Sequence, residues 1–114
     1  MEFTKKQINR YSRQIVLKKI SVVGQKKLFK SNILIVGAGG LGSPIAIYLA
    51  AMGVGKIGIV DKDKVELSNL SRQIIFSNTD IGKSKSQTAI KKISKINPDI
   101  KVISFNKKLT DKNI

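Results

Sequence analysis

Cysteine and histidine are both absent from this 114-residue chain. Without them there are no disulfides, no thiolate zinc sites and no cysteine nucleophiles, and the commonest metal ligand and neutral-pH general base is missing. Triad hydrolysis and zinc hydrolysis are excluded. Long apolar runs are missing too: the longest stretches are a handful of residues, and Met1 to Lys6 has no apolar core beside its lysines. Neither a signal peptide nor a membrane span is expected, and the cytoplasm is the default compartment. The chain can bury on the order of two-thirds of its unfolded surface, which makes one compact domain the upper limit.

Negative charge is scarce. Seven Asp+Glu face 22 Lys+Arg, for a formal charge of +15. That excess invites a nucleic-acid reading, yet lysine supplies 19 of the cations and they are spread along the whole length, with no block of interleaved aromatics. A generally basic, solvated surface with weak non-specific attraction to polyanions is the expectation, and no specific nucleic-acid partner.

From Thr4 to Ser31, Ile8, Tyr11, Ile15, Val16, Ile20, Val23, Leu28 and Phe29 recur mostly every three or four residues. This spacing predicts helix, interrupted at Gly24. Asn32 to Val36 is a β-branched apolar run that reads as a buried strand, closed by the glycine-rich stretch Gly37 to Gly42. Ser43 to Met52 reads as a short buried helix with Pro44 in its first turn and Gly53 at its end. Lys56 to Val60 repeats the strand signature, Ile81 to Ile96 carries an amphipathic helix stopped by Asn97-Pro98, and Lys101 to Phe105 reads as a third strand. Thr110-Asp111 is expected to open a further helix. The order places the chain in the α/β class, as the N-terminal half of a Rossmann-like doubly wound parallel sheet preceded by an N-terminal helical segment.

Gly37, Gly39 and Gly42 fit G-x-G-x-x-G between a strand and a helix. The first glycine permits the turn, the second lets a phosphate approach the backbone, and the third lets helix and strand pack closely. The helix start offers free N–H groups to an anion. Asp61 ends the next strand, where a carboxylate can accept hydrogen bonds from ribose hydroxyls; Asp63 reads as an ordinary strand-end residue. The pattern says nucleotide and leaves NAD, FAD and ATP open.

Further blocks stand in register with it: Arg10-Tyr11-Ser12-Arg13-Gln14, Gly24-Gln25-Lys26-Lys27-Leu28, the doubled Gly39-Gly40, Asp61-Lys62-Asp63, Asn69-Leu70-Ser71-Arg72-Gln73, Gly82-Lys83-Ser84-Lys85 and Ile96-Asn97-Pro98. Together, from Arg10 to Phe105, they closely resemble the N-terminal part of the ThiF/MoeB/HesA family, bacterial relatives of ubiquitin-activating enzymes. The resemblance implies ATP- and Mg²⁺-dependent adenylylation of the C-terminal glycine carboxylate of a ubiquitin-like sulfur-carrier protein, of the kind serving thiamine or molybdopterin synthesis. It also implies that Gly37, Gly39, Gly40 and Gly42 cradle the nucleotide, Asp61 holds its ribose, and Asn69, Arg72 and Lys85 contact phosphates. Arg13 would reach as a finger into a second copy's site, which implies a homodimer. Residues 1–31 would form the helical segment bearing that finger, and residues 32–114 a partial ATP-binding domain.

Arginine usage supports these roles independently. The chain holds only Arg10, Arg13 and Arg72, all inside matching blocks, against 19 lysines. A planar guanidinium grips phosphate bidentately where an ammonium cannot, so keeping arginine against that bias has meaning. Arg10 reads as structural. The family's Mg²⁺ aspartate, paired CxxC motifs and C-terminal cysteine have no counterpart here, so no metal ligand is assigned. The chain reads as the front of a longer adenylyltransferase, silent on its own. A non-catalytic nucleotide-binding module and an NAD-binding half-domain remain the alternatives.

Overall fold

The computed structural model describes residues 2–113. Two helices open the chain, α1 (Lys5–Ile15) and α2 (Ser21–Lys30). Thr4 caps α1 reciprocally with Gln7: the Thr4 hydroxyl accepts the Gln7 N–H at 3.1 Å and the Gln7 side chain accepts the Thr4 N–H at 2.9 Å. The expected break at Gly24 is displaced. The chain leaves helix at 16–20, Ser21 at the start of α2 takes a left-handed φ of 56°, and Gly24 lies inside α2. A mid-helix glycine costs only about 1 kcal/mol against alanine, which the docking of both helices on one spot, described below, outweighs.

Three parallel strands follow, β1 (Asn32–Val36), β2 (Lys56–Val60) and β3 (Lys101–Phe105), in spatial order β1-β2-β3. Helix α3 (Gly42–Met52) joins the first pair; α4 (Lys85–Ile96) precedes the last strand. Glycine at 42 already adopts helical conformation, so α3 starts one residue earlier than expected. The fourth helix starts later than the Ile81 expected, because Asn78–Asp80 forms a short 3-10 turn and the Ser84 hydroxyl then caps the helix proper. No helix opens at Thr110; residues 111–113 form a turn in which Asn113 accepts the Thr110 N–H. None of the described helices is long and apolar enough to cross a membrane.

The register aligns Ile33, Ile57 and Val102, then Ile35, Ile59 and Ser104, across the sheet. With period-two alternation these share one face, and α3 and α4 cover it. Ala46 and Ala50 of α3 and Ala89 and Ile93 of α4 are buried against Ile57 and Ile59, forming the core with Val54 and Ile100. Alanine at the helix contacts lets the helices sit close to the strands. The opposite face presents Leu34, Val36, Ile103 and Phe105 to solvent, with Leu34 and Phe105 meeting above Gly58.

Candidate nucleotide site

The three parallel strands end together at the N-terminus of α3, and this end carries the glycine loop. Gly37 donates its N–H to Val60 across the strand ends at 2.8 Å and takes a φ of 91°, a conformation glycine adopts without strain. A side chain on Gly42 would overlap the Gly37 carbonyl oxygen, so the third glycine closes the turn against the first. The middle glycines have different surroundings. A Cβ on Gly39 would meet only the Gln73 amide nitrogen, at 3.9 Å, and one on Gly40 only the Arg72 side chain, at 3.8 Å. Backbone at 39 and 40 therefore has only the Arg72 and Gln73 side chains near it on that side, at ordinary contact distance for an added methyl group.

Among the described residues the N–H groups of Gly39, Gly40 and Leu41 take no protein acceptor. Three successive free donors at the start of an 11-residue helix, where the aligned peptide dipoles leave a partial positive charge, form an anion cradle. Asp61 fixes one rim of it. Its Oδ2 accepts the Ala38 N–H and its Oδ1 the Asp63 N–H, both at 2.8 Å. Each oxygen retains a further lone pair for a ligand hydroxyl, so the carboxylate both tethers the loop and offers acceptors beside it.

The other rim comes from the segment between β2 and α4. Residues 64 and 84 pair as an isolated antiparallel bridge, and the Lys85 N–H bonds the Asp63 carbonyl at 3.0 Å. This pins the first residue of α4 beside the end of β2. Lys85 is buried, 7 % exposed, yet it joins no ion pair; Lys92 with Asp80, at 3.3 Å, is the pair among the described residues. A cavity of about 260 Å³ lies over it, lined by Asp63, Lys64, Glu66, Asn69 and Lys85. Asn69 is buried with its Oδ1 committed to the Glu66 N–H, which leaves its Nδ2 as a donor without a protein acceptor. Arg72 is exposed and its Nη1 reaches only the Ser68 carbonyl, at 3.3 Å. Neither nitrogen is sealed from solvent, so both are donors open to an anion that enters the cavity.

Asp80 braces this segment from below. Burial alone would raise its carboxyl group, but bonds from the Ser77 N–H and hydroxyl and the Lys92 ammonium outweigh that and hold it below the ordinary carboxylate value.

Of the site residues expected from sequence, Gly37, Gly39, Gly40, Gly42, Asp61, Asn69, Arg72 and Lys85 all lie at this end of the sheet. Arg13 does not. It is exposed on the last turn of α1, whose neighbour Gln14 bonds the Met52 carbonyl at the far end of α3. Eleven helical residues separate that end from the glycine loop, roughly 16 Å. Gln73, buried against Gly39, is a residue that sequence reasoning quoted without a role; its position next to Arg72 was the available signal. Among the described residues no three acidic or histidine side chains converge, and Asp63 and Glu66 share their cavity with Lys64 and Lys85. This donor set does not by itself make a Mg²⁺ site.

Comparison with known proteins covers the region that holds these residues. A family model described as the ThiF family matches residues 11–114. The chain belongs to the ThiF family. It is 50% identical over 101 residues to the sulfur carrier protein ThiS adenylyltransferase of Escherichia coli, covering 89% of this chain and 40% of that protein. With a probable molybdopterin-synthase adenylyltransferase of Porphyra purpurea it shares 51% identity over 111 residues, 97% of this chain and 29% of the relative. A crystal structure of E. coli MccB with ATP superposes with a TM-score of 0.82 at 34% identity, covering 90% of this chain and 32% of MccB. This ThiF-family chain thus spans well under half the length of these relatives.

Proposed function

We propose that this chain is the nucleotide-gripping part of an enzyme that adenylylates the C-terminal carboxylate of a ubiquitin-like sulfur-carrier protein, with ATP as the donor. The observation that carries the reading is the free N–H cradle at Gly39, Gly40 and Leu41 beside Arg72, with the unpaired Lys85 ammonium and Asn69 amide in the adjoining cavity. All of these groups are donors or cations, which suits a polyphosphate. The E. coli relative is named as the adenylyltransferase of the sulfur carrier protein ThiS, and the MccB structure holds ATP.

In the reaction a carboxylate oxygen forms a bond to the α-phosphorus and the α–β P–O bond breaks, giving an acyl-adenylate and pyrophosphate. The glycine-loop donors orient the α-phosphate for in-line attack, and Asp61 holds the ribose so that the phosphate chain runs toward Lys85. Arg72, Lys85 and Asn69 stabilise the charge that grows on the departing pyrophosphate. Mg²⁺, when bound, would neutralise further phosphate charge. As part of the same proposal we place this reaction in the cytoplasm.

Arg13 lies too far from its own glycine loop to serve it, which favours action on a second copy. Helix α3 and the Leu41 that precedes it present Leu41, Ile45, Tyr48 and Met52 as one exposed apolar stripe at helical spacing, a surface suited to a homodimer that brings Arg13 across. Carrier-dependent ATP–pyrophosphate exchange by the complete protein tests the activity, with calorimetric titration of ATP and NAD beside it. NAD binding with none for ATP would replace the reading with an oxidoreductase. Mixing inactive Arg13→Ala and Arg72→Ala proteins tests the shared site: random pairing restores roughly a quarter of the sites if Arg13 acts across the dimer, and none if it acts at home.

A further inference from the structure

Among the described α-helices, α3 alone carries no charged side chain; α1, α2 and α4 each carry at least three lysines or arginines. Its outward stripe is nonetheless well exposed, Leu41 by 82 % and Tyr48 by 67 %, with Ile45 and Met52 beside them. Two copies of a chain with a net charge of +15 repel each other over most of their surface. The uncharged face of α3 is where they can approach at the least electrostatic cost and remove apolar surface from water. An acidic partner, by contrast, would be drawn to the lysine-bearing helices, so the stripe suits a second copy.

The direction of packing follows from two further observations. The stripe residues are spaced four, three and four apart, the alternation that keeps two helices in contact along their length at a crossing angle of about 20°. The turn of α1 that carries Arg13 is fixed to the Met52 end, where Gln14 donates to the Met52 carbonyl at 2.7 Å and Gln25 donates to it at 2.8 Å. Parallel helices would bring the two Met52 ends together and leave each Arg13 a helix length from either cradle. A two-fold axis crossing the stripe between Ile45 and Tyr48 lays the helices antiparallel and sets each Met52 end on the other copy's Leu41, the residue after Gly40. Resting on the reading that Arg13 serves a second copy, we propose that α3 is the dimer contact and packs antiparallel on its counterpart, Leu41 against the partner's Met52 and Ile45 against the partner's Tyr48. The length of α3 is then the distance Arg13 is carried to reach the other cradle.

The test uses the complete protein. Ile45→Lys and Tyr48→Glu each put a charge into the apolar contact, and each is expected to weaken the dimer at least about tenfold in sedimentation equilibrium. The double variant sets opposite charges against each other twice across an antiparallel contact, and its dimer is expected to be at least about threefold tighter than that of either single variant. Cross-linking reads the direction independently. Residues 1–114 contain no cysteine, so Leu41→Cys co-expressed with Met52→Cys is treated with a short bismaleimide and the bridged peptides are identified by mass spectrometry. Bridging between the two variants is expected to exceed that of either variant with itself at least about fivefold, because like positions stand roughly 16 Å apart in the antiparallel pair. Equal bridging of Leu41→Cys with itself, or a double variant that dimerises more weakly than both singles, would overturn the antiparallel contact. A dimer untouched by both single variants would overturn α3 as the interface. Recovery of carrier-dependent exchange in the Arg13→Ala and Arg72→Ala mixture without the Leu41–Met52 bridge would keep the Arg13 reading and overturn this contact; the bridge without that recovery would support the contact and remove Arg13 from the partner's site.

Discussion

The two ends of α3 are built from the same kinds of residue and treat them in opposite ways. At its C-terminal end, blocks far apart in sequence converge on a closed polar clasp. The Asn97 amide donates to the Tyr11 hydroxyl at 2.8 Å and to the Ala50 carbonyl at 2.9 Å, while its Oδ1 accepts the Asp99 N–H. Gln14 and Gln25 bond each other and both bond the Met52 carbonyl, and Arg10 reaches the last carbonyl of α4 at 2.9 Å. Gly53 admits this cluster, since a Cβ there would stand 2.7 Å from both Tyr11 and Gln25. At the N-terminal end the cradle N–H groups, the Asn69 Nδ2 and the Lys85 ammonium go without protein partners. Satisfied buried polar groups hold a fold together; unsatisfied ones gathered in one place mark where a ligand completes it.

Breaking the clasp should give the largest effect. Asn97→Ala leaves the Tyr11 hydroxyl in the core without its partner, while the Ala50 carbonyl keeps the Gly53 N–H at 3.1 Å; a loss of about 2 kcal/mol of stability is expected in denaturant titration, with ATP affinity of the folded protein preserved. The reverse pattern is expected of Arg72→Ala and Lys85→Ala. Each should slow carrier-dependent ATP–pyrophosphate exchange at least about tenfold, equivalent to about 1.4 kcal/mol of transition-state stabilisation, with an unchanged melting temperature. Wild-type exchange rates in both would remove them from the site.

Gly40→Ala sharpens the contrast within the loop. Its new methyl group meets Arg72 at ordinary contact distance, so stability should shift by less than about 0.5 kcal/mol while ATP affinity falls, because the methyl group occupies the bare face of the cradle; calorimetry and melting together separate the two. The smallest effect belongs to Asp80. Its carboxyl is held below the ordinary value in the folded state, so its stabilising contribution is present above the unfolded carboxylate pKa and disappears as pH falls through the folded one. Asp80→Asn should therefore lower the melting temperature slightly at pH 7 and have no effect at pH 2.

The strands and the cradle were legible because their physics is local. The short apolar runs do form parallel strands, but β1, expected to be buried, buries only Ile35, because α3 and α4 cover one face of the sheet and leave Leu34 and Val36 exposed on the other; Gly37 and Gly42 answer to backbone geometry within a single turn. Helix limits were less so. Gly24 looked like a break and is not one, because Tyr11 on α1 and Gln25 on α2 are anchored on the same Gly53; Ile81 looked like a helix start and lies outside, because Asn78–Asp80 winds into a separate turn.

Sequence alone determined the chemical inventory: no histidine or cysteine, three arginines kept among nineteen lysines, and a glycine loop between strand and helix followed by an acid at the next strand end. Those follow from composition and short-range spacing. Only the tertiary structure decided which polar groups found partners. It tied Asp61 to the Ala38 N–H, closed Tyr11 and Asn97 over 86 residues of sequence separation, sent Arg13 to the end of α3 opposite the cradle, and left Gln73 buried with an empty acceptor. Hydrogen-bond satisfaction depends on who is within 3 Å in space, and that is settled by packing across the whole core.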